Sequence, residues 1–393
     1  MMTEIRPVLP PRARSVRVRL TGATVLRGGM LQRRSVAIED GRISKGPLPE
    51  VDLSGFLVLP GIVDLHAERP IPQHAVPQHA GARHTATFLA AIEREAAANG
   101  VTTAWIAQGW SWEGGTAAPE AAQAFLAAHE GFVATRGLID LRVSLSCETH
   151  TVETRDALLA AVRRHRVDLV LFTDRLSQLV RSGAAPSLPG ARADLASRMR
   201  RAAGERREVP RHLCRLAEGF DTLGVTYGSL DDADGETRET WAMIGAKLCA
   251  RPVSRKAAAL SRAVGDPVAV PAAQVLDESG TAHDLVRDGL CSALISNGVY
   301  SALADAAFGL VEAGTLSLPQ AWALISSGPA EILRLPDRGV IDYGRRADLT
   351  LVNARTRSIE GTICAGRIAH LAGEAADRFV QSSGAVSALA ATG

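Results

Sequence analysis

The sequence predicts an α/β protein, a (β/α)8 TIM-type barrel that carries a small β-sandwich domain formed from both chain ends. Three observations predict it. Strand-and-turn patterns occupy the two ends of the chain, while the middle alternates apolar strands with helical stretches. That alternation yields eight candidate strands, the number that closes a barrel. With 393 residues, 46% of them hydrophobic, the chain has room for a barrel of roughly 250 residues or more plus a smaller unit.

Taken in order, Val16-Arg17-Val18-Arg19-Leu20 and Ser35-Val36-Ala37-Ile38-Glu39 read as strands, and Asp40-Gly41 before Arg42-Ile43 is a strong hairpin signal. Near the other end, Arg338 to Val352 and Gly361 to Arg367 are again strand and turn, so the two ends pair into one discontinuous domain, residues 1–59 and 338–380. Between them, residues 60–337 form the barrel. Its strands are expected at Ile62 to Glu68, Val101 to Gln108, Leu141 to Glu148, Val167 to Asp174, Gly224 to Ser229, Leu248 to Val253, Pro267 to Ala273 and Cys291 to Asn297. Helices at Thr87 to Asn99, Arg155 to His165 and Ser254 to Val264 carry apolar residues at three and four residue spacing. An open doubly wound sheet shows the same alternation, but it usually has fewer strands and a glycine-rich first turn.

The arginine-rich stretch from Arg175 to Arg211 interrupts the barrel after its fourth strand. It is either a lid that grips phosphate or a solvated helix on the rim, and the chain's general bias to arginine favours the second. Residues 381–393, rich in Ser, Ala and Gly, are expected to be a disordered tail.

Composition narrows the partners. A formal net charge of +2 leaves no electrostatic footprint for nucleic acid or an anionic membrane, and no apolar run reaches the roughly 20 residues of a membrane span. The five cysteines are scattered singly, which suits a reducing, cytoplasmic setting. An assembly of like chains is allowed but not required.

Catalytic groups in such a barrel sit at the C-terminal ends of its strands. The strand ends supply His66 and Glu68, then Glu148 with His150 beyond it, then Asp174, Gly228 to Asp232, and Ser296-Asn297. On a strand, His66 and Glu68 share a face. His66, Glu68 and Glu148 are the candidate metal ligands, and Asp174 and Asn297 the candidates for catalytic positions. With one imidazole among them, the set is thin for Zn and suits Mg or Mn better, held weakly or not at all. Each residue also has a structural role open to it: His66 as a core histidine, Glu68 as a partner of Arg69 or Arg83, Glu148 as a buried carboxylate paired with a cation, and Asp174 as a helix N-cap. His74, His79 and His84 lie in a loop broken by Pro and Gly and read as loop residues.

Several segments together resemble a known family. They are Leu59 to His66, Gly100-Val101-Thr102-Thr103, Leu141 to Glu148, Ala302 to Phe308, Leu318-Pro319-Gln320-Ala321, and Asp337 to Ile341 with Ala347-Asp348-Leu349. They resemble the amidohydrolase superfamily and, within it, the PhnM-type α-D-ribose 1-methylphosphonate 5-triphosphate diphosphatases. The resemblance implies a metal-dependent hydrolase that releases pyrophosphate from a phosphorylated small molecule, with His66 as the first-strand histidine and Glu148 as the carboxylate after the third strand. It also implies departures. Glu68 stands for an aspartate, Asp174 or Arg175 for a fourth-strand histidine, Gly228 for a fifth-strand histidine and Asn297 for the last aspartate. An amide is no general base near neutral pH, a loss of roughly 100- to 10,000-fold in rate. Two function classes follow: a hydrolase of phosphonate metabolism with a rearranged metal site, or a catalytically impaired barrel serving as a ligand-binding or scaffold subunit.

Overall fold

The computed structural model describes residues 15–69, 82–135, 137–182 and 191–391. Eight parallel strands follow one another around a nearly closed barrel: Ile62–Ala67, Val101–Trp110, Asp140–Glu148, Leu169–Thr173, Thr226–Leu230, Leu248–Ala250, Val268–Pro271 and Ala293–Ile295. All eight fall where the apolar runs place them. The seventh stops at Pro271, short of the expected Ala273, because the helix Ala272–Val275 begins at once.

The seam between the first and eighth strands has no regular ladder. Buried Asp64 bridges it, accepting from the Ser296 amide at 3.0 Å and the Ser296 hydroxyl at 2.5 Å, while the Asn297 amide donates to the His66 carbonyl at 3.1 Å. Inside the barrel, Val63, Leu65, Trp105, Leu169, Leu171, Leu248, Ala269, Ala293 and Ile295 form a packed interior rather than a pore. Outside it, a larger apolar layer joins the strands to the surrounding helices, with Phe172 stacked on Trp241 at 5.4 Å.

The chain ends build a β-sandwich. One sheet runs Arg42–Ser44, Val36–Glu39, Val18–Thr21, Glu50–Asp52; the other runs Arg367–Leu371, Ile359–Cys364, Leu349–Asn353, Phe56–Pro60, Thr24–Arg27, Met30–Arg33. Their inner faces enclose Leu20, Ile38, Val58, Leu349 and Ile363. The Asp40-Gly41 turn has positive φ at both residues (50° and 76°), as a two-residue hairpin with right-handed strand twist requires.

The helix Gly373–Ala391 runs from the sandwich into residues 381–391, and near its start Ala375 and Phe379, one turn apart, are buried in the sandwich core. The stretch after the fourth strand is helical as well: Arg175–Ser182, Ala191–Gly204 and Val209–Leu223. His74 and His79 lie outside the described residues, and His84 is in the helix Ala82–Ala98. Among the described residues no helix is long and apolar enough to cross a membrane.

Candidate functional site

A bulge in the first strand sets up the mouth of the barrel. Asp64 pairs with Ala104 but Ala67 with Ile106, so the first strand holds one residue more than its partner over this stretch. Val63 and Leu65 belong to the interior cluster and Ala67 to the outer layer. The bulge thereby turns His66 and Glu68 to the interior side. His66 is fully buried, both ring nitrogens lack a hydrogen-bond partner, and its Nε2 stands 3.8 Å from a Glu68 carboxylate oxygen.

Glu68 has a stronger partner across the mouth. Arg251, directly after the sixth strand, donates one guanidinium nitrogen to both Glu68 and the Asn297 side-chain oxygen, the latter at 2.8 Å. Its other two nitrogens grip the Asp231 carboxylate at 3.0 and 2.8 Å. One arginine thus ties together residues that follow the first, fifth and eighth strands. The His66 ring and then, against the cost of burial, the Arg251 guanidinium hold the Glu68 carboxyl down to about 2.

A second cluster forms at the ends of the third and fourth strands. Glu148 is fully buried, and its carboxylate accepts from the amides of His150 at 2.6 Å and Leu176 at 3.4 Å. The turn after Glu148 folds His150 back over it, placing Nδ1 at 3.4 Å from Glu148 and 3.9 Å from Asp174. Glu148, His150 and Asp174 each offer a ligand atom within 4.8 Å of the others. Burial opposes charge on His150, but the Glu148 hydrogen bond and the nearby Glu148, Asp174 and Glu205 charges win and raise its pKa.

Cavities open on two sides of this cluster. One, of about 580 Å³, reaches His150, Asp174, Asp231 and Trp241. The other, of about 430 Å³, brings His150 together with Arg198, Arg201, Glu153 and Glu205. Arg198 is anchored there by donating to the Glu113 carbonyl at 3.0 Å and pairing with Asp194 at 2.7 Å.

The three ligands expected from sequence therefore separate. His66 and Glu68 adjoin the Arg251 network, whereas Glu148 joins His150 and Asp174. Asp174 caps the helix Arg175–Ser182 by accepting from the Ser177 amide at 3.0 Å, while still facing His150. Asn297 has its side-chain oxygen committed to Arg251. At Gly228 no side chain fits, because a Cβ there would lie 2.2 Å from the Leu248 carbonyl oxygen. Arg251 went unread in the sequence because the run Leu248 to Val253 passes for one strand; the strand-end rule applied to Ala250 would have found it. His212 also went unread. It is buried beside the second cluster with both ring nitrogens unpartnered, and burial, with Arg155 and His150 adding to it, lowers its pKa to about 4.

The two donor sets differ in their fit to a divalent metal. In the Arg251 network the carboxylates are already engaged by a guanidinium, so that set does not fit an ion. Glu148, His150 and Asp174 fit one, as a mixed nitrogen and oxygen set with three ligand atoms in reach of a single centre.

A (β/α)8 barrel with its polar groups gathered at the strand ends, carried on a β-sandwich made from both chain ends, is an architecture this chain shares with solved structures. Solved structures with this fold cover nearly all of the chain at low identity. They include N-acetylglucosamine-6-phosphate deacetylase from Pasteurella multocida (TM-score 0.62, 10% identity, 90% of this chain and 99% of that one). β-Aspartyl dipeptidase from Fervidobacterium islandicum AW-1 is another (0.59, 16%, 91% and 97%). A prolidase complexed with N-methylphosphonate-L-proline is a third (0.58, 16%, 91% and 100%). No protein-family model matches the chain. In sequence it is 32% identical over 160 residues to the α-D-ribose 1-methylphosphonate 5-triphosphate diphosphatase of Escherichia coli K12. That match spans about two-fifths of each protein, 39% of this chain and 41% of the relative. The solved structures share the fold with this chain, and the diphosphatase shares sequence with it over that part alone.

Proposed function

We propose that the chain is a metal-dependent hydrolase acting on a phosphorylated small molecule of phosphonate metabolism, with Glu148, His150 and Asp174 holding the metal. The observation that carries this reading is the convergence of those three ligand atoms within 4.8 Å at the ends of two barrel strands. When bound, a divalent ion supplies a Lewis acid and an acidified water.

The chain's own residues support the rest. The amides of His150 and Leu176 fix the orientation of the Glu148 carboxylate, and the helix Arg175–Ser182 fixes Asp174 through its cap. Arg198 and Arg201 line the cavity on one side of His150, where guanidinium groups suit phosphate oxygens. The sequence relative's name supplies the finer reading, a ribose triphosphate bearing a phosphonate, cleaved to release pyrophosphate.

Protein purified with Zn, Mn or Mg is expected to retain about one metal per chain and to release pyrophosphate from such a triphosphate. Glu148→Gln should lose both. Elemental analysis of the desalted protein decides: a wild type without metal, or a Glu148→Gln variant that keeps it, rejects this site. A second reading, a catalytically impaired barrel that binds ligand or acts as a scaffold, draws its support from the Arg251 network at the mouth. It expects neither metal nor turnover.

A further inference from the structure

We propose that a cavity beneath the barrel, between its third and fourth strands and the sandwich, is a second anion site that takes a phosphate-class polyanion such as pyrophosphate. This goes beyond the proposed hydrolase and holds whether or not the Glu148 cluster binds an ion.

The cavity has a volume of about 670 Å³, within the range of small-molecule sites. It lies at the opposite end of the barrel from the Glu148 cluster. The strand Asp140–Glu148 meets the cavity at its first residue and that cluster at its last, about 25 Å apart at roughly 3.3 Å per residue.

Five guanidinium groups line it, from Arg142, Arg164, Arg166, Arg346 and Arg367. Two of them are already engaged. Arg142 grips Asp140 at 2.9 Å and Asp168 at 2.6 Å, and Arg346 pairs with Asp348 at 2.9 Å. Among the described residues, Arg164, Arg166 and Arg367 have no carboxylate partner. The acids of the cavity do not cancel them. Asp140 and Asp168 are taken by Arg142, and Asp140 also by Arg338 at 2.6 Å. Glu130, 3.0 Å from the His165 ring, offsets at most one of the three. At least two positive charges therefore face the cavity without a counter-charge.

Those charges come from both parts of the molecule. Arg164 is in the last turn of the helix Arg155–His165 and Arg166 follows it directly, where a helix C-terminus favours cations. The helix end accounts for those two but not for Arg367, which opens the sandwich strand Arg367–Leu371 and lines the same cavity. Like charges gathered in one space repel, and a bound polyanion turns that repulsion into attraction. The planar fork of each arginine matches phosphate oxygens. With two phosphate groups, pyrophosphate has charge and oxygens enough to meet the barrel arginines on one side and Arg367 on the other. Bound there, it would tie the barrel to the sandwich.

The test is calorimetric titration of the full chain with pyrophosphate at low salt. A parent carrying Arg198→Gln and Arg201→Gln removes the arginines of the cavity beside His150. This parent should bind one pyrophosphate beneath the barrel, more weakly as salt rises. Arg367→Gln, Arg164→Gln and Arg166→Asn, each added to the parent, should weaken that site about tenfold or more. Pyrophosphate should raise the melting temperature of the parent, and less so that of each variant. Arg164 and Arg166 are exposed and Arg367 is half-buried, so the variants leave the core intact. No binding by the parent overturns the proposal. So does binding that Arg367→Gln leaves unchanged, because pyrophosphate held by a metal at the Glu148 cluster would persist in that variant.

Discussion

Glu68 keeps its charge at unusually low pH, and the sign of that shift gives a measurable consequence. Its pKa falls from 4.5 to about 2 on folding, through the His66 ring first and the Arg251 guanidinium after it. A depressed folded-state pKa contributes stability that is complete above the unfolded value and is lost as pH falls through the folded one. Between about pH 4.5 and pH 2 the wild type should therefore lose stability more steeply than Glu68→Gln, as followed by urea denaturation at each pH. Because 53% of the Glu68 side chain is exposed, screening keeps the difference small. Parallel curves for the two proteins would remove Glu68 from the acid response. The residue scale was only half legible in the sequence. His66, Glu68, Glu148, Asp174 and Asn297 were visible because strand ends can be counted off an alternating pattern. Their partners were not, since the fold-back of His150 onto Glu148 depends on a turn at Thr149 that no glycine or proline announces, and the reach of Arg251 across the mouth depends on a side-chain direction that Pro252 after it does not give.

Among the elements, the seam between the first and eighth strands is the weak join of the barrel, and Asp64 is what closes it. Asp64→Ala would leave the Ser296 amide and hydroxyl without their acceptor in a buried setting, at a cost of about 2–3 kcal/mol. Urea denaturation should show the loss as a lowered midpoint with little change in slope. Asp64→Asn, which retains an acceptor oxygen, should recover part of it; no loss in Asp64→Ala would mean that the seam is held elsewhere. The eight strands themselves were readable because each is a short apolar run bounded by polar turns. The bulge between Asp64 and Ala67 was not, because it arises from a mismatch in register with the second strand rather than from any residue in the run.

For the whole molecule, the barrel and the sandwich are joined below the strands by a polar network centred on Asp140. Its carboxylate accepts from Arg142 at 2.9 Å and from buried Arg338 at 2.6 Å, and Arg338 also donates to Thr103 at 2.9 Å. Burial alone would raise the Asp140 pKa, but Arg142 and Arg338 outweigh it and hold the group well below the usual carboxylate range. Asp140→Ala would leave Arg338 buried without its main counter-charge, at a cost of about 3 kcal/mol. Calorimetry should then show the single unfolding transition broadening or splitting; a sharp transition at the wild-type temperature would show that the two parts are coupled by other contacts. That both chain ends contribute strands was legible from their turn-rich patterns. Which strand pairs with which was not, because register across so long a separation is set by packing rather than by local sequence.

The strand Phe56–Pro60 lies in the middle of the six-stranded sheet, and Gly61 alone separates it from the first barrel strand. Its antiparallel neighbour is Leu349–Asn353, with Leu349 opposite Pro60. During synthesis the ribosome therefore releases one side of this strand long before the segment that covers it, and the nascent chain must carry an open apolar edge through the assembly of the whole barrel. A strand that leaves the exit tunnel late is the one that protects a strand released early.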